Sequence, residues 1–171
     1  MSRLSDQLRA TSVRRMNESK ERIEKCVRML SEEQIWHRAN NETPCVGDQI
    51  LHLSGNIQQW ILSTFSGLPD NRNRDSEFGS TDVITKIELL GSFCAVVKNA
   101  IESIAELHED QLTRSYDVQG FQETGTDILV HVVEHLSYHT GQIALHTKIF
   151  TNEDLGFYAG QDLNSTGPTI Q

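Results

Sequence analysis

The stretch "HVVEHLSYHTGQI", residues 131–143, decides how this chain is read. Val132, Leu136 and Ile143 recur at steps of four and seven, which is the periodicity of a helix with one apolar face. Three of the seven histidines, His131, His135 and His139, fall at intervals of four, so the same helix stacks them in one stripe. At about 100° per residue with His131 as origin, His135 lies near 40° and His139 near 80°. The apolar residues fall between roughly 100° and 140° on the same wheel, the side that faces a core. His135 and His139 therefore border the core, and His131 stands further round. Gln142 and His146 complete the polar stripe.

This helix is expected over 124–150, and three more long helices over 4–30, 46–65 and 81–107. "SEEQ" at 31–34 reads as a capping box that opens a short extra turn around Trp36. Gly67 and Pro69 end the second long helix. The stretches "PDNRNRDSEFGS" and "TRSYDVQGFQET" read as polar connections, the latter turning at Gly120. With no convincing strand and no repeat, the fold class is all-α, a four-helix bundle with long connections. A single domain is expected over 1–160, with a mobile C-terminal tail over 161–171.

The totals limit function. The chain has 171 residues and a net charge of −9, without the Lys/Arg stripe that holds phosphate backbones or anionic lipid, so neither nucleic acid nor membrane is an expected partner. Cys26, Cys45 and Cys94 are too few and too scattered for a disulfide framework, and a reducing compartment fits. The N-terminus is charged from Arg3 onward and no apolar run reaches membrane-span length, so a cytoplasmic location is expected. Cys26 and Cys94 read as small hydrophobes, and Cys45, beside Pro44, as the most exposed thiol.

Two histidines one turn apart on a bundle helix make a half-site for a divalent metal, which needs a third ligand from another helix. His52, in "DQILHLSGNIQQWI", lies within the second long helix, but its wheel puts it at the edge of the apolar face, a position equally suited to solvent. The competing reading is a stripe of half-buried polar residues without metal. For His37, His108 and His146 that reading is preferred.

"HLSGNIQQWI", "RNRDSEF" and "HVVEHLSYHTGQI" together resemble the DinB-like (DinB/YfiT) superfamily of four-helix bundles, in particular its small bacterial branch without assigned reactions; the resemblance runs over about residues 30–158. It implies one divalent metal held by three histidines, which at the matching positions are His52, His135 and His139. Many members carry a basic residue where this chain has Thr140. Some resemble thiol-dependent transferases and others isomerases.

Three neutral imidazoles leave a bound ion its full charge and open positions, the pattern of a catalytic rather than a closed structural site. Zn2+ is the first choice of metal and Ni2+ the second, with Fe2+ and Cu2+ also compatible with nitrogen ligands. Second-sphere candidates are Asp48 and Glu134 as partners of an imidazole N–H, with Asp48 preferred, and Asn56 and His131 as groups facing a bound ligand. Arg72 and Arg74 either hold an anionic substrate or pair with Asp75 and Glu77; local pairing is preferred. The expected function is that of a metal-dependent enzyme, a transferase or hydrolase acting on a small molecule such as a thiol. The alternative is a non-catalytic metal-binding or dimerisation bundle, and a homodimer is expected.

Overall fold

Helix starts in the computed structural model, which describes residues 3–78, 84–164 and 166–167, are set by short polar signatures. Helix α1 spans Arg3–Met29. At α2 (Glu32–Trp36), Ser31 Oγ accepts the Gln34 N–H while Gln34 Oε1 accepts the Ser31 N–H, the capping box legible in "SEEQ". The same reciprocal pairing opens α3 (Val46–Ile57) at Cys45 with Asp48, α5 (Lys86–Glu106) at Thr85 with Glu88, and α7 (Gly125–Thr151) at Thr124 with Asp127. Helix α3 continues through a wider π-helical turn, Gln58–Ser63, into the short α4 (Thr64–Ser66), which ends at Gly67. Helix α6 is the single turn Glu109–Thr113.

The four long helices form the expected bundle. Helix α1 packs on α5 and α7, and α3 packs on the same two, so α1 and α3 face each other across the diagonal. Each contributes a stripe to one core: Met16 and Ile23 from α1, Ile50 and Leu53 from α3, Leu89 and Phe93 from α5, Leu136 and Ile143 from α7, all buried. Closing that apolar surface off from water is the main term holding the fold.

Three readings of the sequence need correction. The connection after α6 contains a two-stranded antiparallel hairpin, β1 (Ser115–Val118) and β2 (Phe121–Thr124). Its turn, Gln119–Gly120, has φ of 53° and 81°, and two successive positive φ values match the twist of a tight hairpin. Strands of four residues are too short to show alternation, and Gln-Gly is a weaker signal than Asn-Gly, which is why they escape a sequence reading. Second, the third long helix starts at Lys86 rather than 81, because Thr85 and Glu88 cap it; residues 81–83 of the expected helix lie outside the described residues. Ile87 consequently faces solvent, and the buried face runs through Leu89, Phe93, Val97 and Ile104. Third, Cys45 is fully buried rather than exposed, and burial pushes its thiol up to about 11. In the expected mobile tail, residues 165 and 168–171 lie outside the described residues.

Candidate metal centre

The histidines at 135 and 139 point between α7 and α3 because they lie one turn apart on the flank of the buried stripe Val132–Leu136–Ile143. His52 meets them from α3. Its edge position on the helix wheel is resolved by a segment distant in sequence: the single 3-10 turn Arg74–Glu77 and Phe78 fold over it, and it is 7% exposed. One ring nitrogen from each of His52, His135 and His139 lies within 4.8 Å of the others, a grouping that can hold a metal ion. Nε2 of His52 and Nε2 of His135 stand 2.9 Å apart.

The Nδ1 atoms of His52 and His139 meet side-chain oxygens. Nδ1–H of His52 donates to Glu77 Oε2 at 2.8 Å, which leaves Nε2 with its lone pair toward the other histidines. Glu77 is itself held by Arg72, Nε to Oε1 at 2.7 Å and Nη2 to Oε2 at 2.9 Å, a forked pair buried against α3. Gly55, one turn after His52, makes room for it: a Cβ there would come within 2.1 Å of Glu77 Oε1. Burial alone would raise the Glu77 carboxyl, but hydrogen bonds from His52 and Arg72 outweigh it and hold the group below the usual range. Nδ1–H of His139 faces Gln49 Oε1 at 3.4 Å.

Burial, followed by the neighbouring His139, His52 and His131, pushes His135 down to about 3, and burial with His52 pushes His139 down to about 4. Both rings are therefore neutral at neutral pH, the form that ligates metals. The donor set fits a divalent transition ion: three imidazole nitrogens converge, and two of the rings are oriented by a carboxylate or amide oxygen behind them. On the remaining side lies a cleft of roughly 530 Å3, bordered by Pro44, Phe78, Tyr138 and Gln142.

The secondary candidates separate. Asp48 is buried but turned to Arg38, 2.6 Å away, and to the Cys45 backbone N–H, so its capping role displaces the expected contact with an imidazole. Glu134 is exposed on the opposite flank of α7, beside α1, as its wheel position implies. Asn56 Nδ2 lies 3.4 Å from Nε2 of His131, and its Oδ1 is buried without a partner among the described residues. His131 stacks on Trp60, ring centroids 3.8 Å apart, and lies nearly parallel to His135 at 5.5 Å. It backs the cluster without joining it. Thr140 is buried, its hydroxyl donating to the Leu136 carbonyl, where a basic side chain would have to displace core packing. Glu77 and Gln49 were missed as partners. The "RNRDSE" run shows charge, but not which helix it folds against.

Solved structures share this helical fold. A conserved protein from Enterococcus faecalis superposes with a TM-score of 0.69 at 16% identity, over 84% of this chain and 97% of its own. A DinB-like protein from Bacillus subtilis, YjoA, superposes with a TM-score of 0.64 at 19% identity, over 89% of this chain and 97% of its own. The chain belongs to the DUF1572 family of proteins of unknown function, whose profile matches residues 4–159. No curated protein matches the sequence.

Proposed function

We propose that this protein is a metal-dependent enzyme of the transferase or hydrolase type, with one divalent ion held by His52, His135 and His139 and a small-molecule substrate in the cleft above them. The observation that carries this reading is the convergence of three ring nitrogens within 4.8 Å at the base of an open cleft. Zn2+ is the proposed metal and Ni2+ the next, with Fe2+ and Cu2+ compatible with the donors. When bound, such an ion supplies a water or thiol of lowered pKa as a nucleophile near neutral pH. A low-molecular-weight thiol is a substrate this chemistry accommodates. The chain's own residues hold the rings: Glu77 fixes the His52 tautomer, Gln49 orients His139, and Pro44 and Phe78 narrow the approach of water.

The test is the metal content of protein purified without chelators or metal-affinity resin, measured by mass spectrometry. One ion per chain is expected, and its loss in a His135→Ala/His139→Ala variant that keeps its helical circular dichroism. Wild-type protein that takes up none of Zn2+, Ni2+ or Fe2+ on reconstitution would end the reading.

The 1–160 single-domain organisation, the cytoplasmic location and the homodimer are part of the same proposal. A dimer is favoured by one feature: Val130, Tyr138, Leu145 and Ile149 are large apolar side chains left exposed along α7 (52%, 62%, 59% and 68% exposed). Among the described residues no helix is long and apolar enough to cross a membrane. Light scattering at two concentrations, with Leu145→Glu as the disrupting variant, tests the dimer.

A further inference from the structure

The two loop arginines look alike in "RNRD", but the fold uses them differently. Arg72 is consumed by Glu77, its side chain only 4% exposed. Arg74 is exposed, borders the histidine cleft and makes no ion pair among the described residues. Its guanidinium carbon lies 5.3 Å from the centroid of the Phe78 ring, and that ring lies 5.1 Å from the ring of His52. A guanidinium stacked on an aromatic face keeps its in-plane N–H donors available to a ligand.

The cleft contrasts with the rest of the chain. Although the protein carries 24 acidic residues and a net charge of −9, no Asp or Glu borders the cleft among the described residues. Gln49, Tyr138 and Gln142 supply neutral polarity there. The carboxylate of Glu77, which touches His52, is matched by the positive charge of Arg72. Arg74 is thus the one formally charged side chain bordering the cleft among the described residues. In a protein whose overall field repels anions, a cleft with no carboxylate among its described lining residues and with a poised arginine is a local attractor for them.

We propose that Arg74 is the anion-binding arm of the cleft, so that the ligand is a small molecule with an oxyanion group at one end and a metal-binding donor at the other. This rests on the tri-histidine metal reading above and names its substrate class. Arg74 binds the charged end, and Phe78 holds the guanidinium in place.

The test uses cobalt-loaded full-length protein and two thiol probes of similar size, 3-mercaptopropionate with a carboxylate and 2-mercaptoethanol without one. Thiolate-to-cobalt charge-transfer absorption reports sulfur binding without any turnover. Wild-type protein is expected to bind the carboxylate probe about tenfold more tightly, the scale of one partly exposed charge-assisted hydrogen-bonded pair. Arg74→Gln is expected to abolish that preference while leaving cobalt content and 2-mercaptoethanol affinity unchanged, and Arg74→Lys to recover part of it. Added salt should weaken the wild-type preference and leave the Arg74→Gln protein unaffected. A preference that survives in Arg74→Gln, or none in the wild type, overturns the proposal and leaves the metal site standing. Failure of cobalt to load defeats the metal reading itself and this proposal with it, whereas cobalt that loads but gives no band with either thiol overturns this proposal alone.

Discussion

Glu77 and His52 are 25 positions apart in sequence, yet the carboxylate accepts the imidazole Nδ1–H at 2.8 Å inside the protein, with Arg72 closing the far side. A loop segment that carries one 3-10 turn, Arg74–Glu77, thereby fixes which nitrogen of His52 faces the other two histidines.

Glu77→Gln tests that orientation. Arg72 would be left buried without its counter-charge, at a cost of about 3 kcal/mol in unfolding free energy. Metal affinity is expected to fall about 10- to 100-fold, the usual effect of losing an outer-sphere partner. Chelator competition measures the affinity and urea denaturation the stability. Unchanged affinity would show that Glu77 serves the fold alone.

Gly55→Ala addresses the same pair from the helix side. The added Cβ falls 2.1 Å from Glu77 Oε1 and 3.0 Å from Arg72 Nε, so the ion pair must shift. A loss of about 1–3 kcal/mol is expected from overpacking. In a Glu77→Ala background most of that cost should vanish, because the clashing group is gone. A full penalty in both backgrounds would place the constraint elsewhere.

The pH dependence of metal-free protein follows from the two depressed imidazoles. In the unfolded chain both titrate near 6.5, whereas in the fold His135 is held at about 3 and His139 at about 4. The native state therefore binds fewer protons than the unfolded state between these values. Stability associated with the neutral rings is complete above about pH 6.5 and is lost as pH falls toward 4 and then 3. Denaturation midpoints in chelator should drop between about pH 7.5 and about pH 5, and a His135→Gln/His139→Gln variant should show a shallower decline. Equal slopes would assign the acid sensitivity to other groups.

Trp60 links the hairpin to the histidines. Its Nε1–H donates to Gln119 Oε1 at 2.9 Å across 59 positions, and its ring stacks on His131. Gln119→Ala is expected to cost about 1 kcal/mol as one lost hydrogen bond. Trp60→Ala should cost about 3 kcal/mol or more, because a buried indole is replaced by a void. Thermal unfolding measures both. Equal, small losses would mean that the hairpin tip is not packed on the bundle through this contact.

The helical class, three of the four long-helix starts to within a residue, and the inward flank of the fourth helix that carries His135 and His139 are legible in the sequence. These are local properties: a period of 3.6 residues, and caps such as Ser31–Gln34, are written in neighbouring residues. The wheel of α3 did not settle whether His52 faced inward, and the resemblance to DinB-like proteins selected it. Packing between distant segments set the surroundings of the three histidines. It turned Asp48 into a helix cap, brought Glu77 to His52, separated Arg72 from Arg74, and raised a hairpin whose turn residue holds Trp60. Each of these pairings joins an irregular segment to a distant helix. Side chains in such segments have no periodicity to reveal their direction, so their partners are chosen by the packing of the whole bundle.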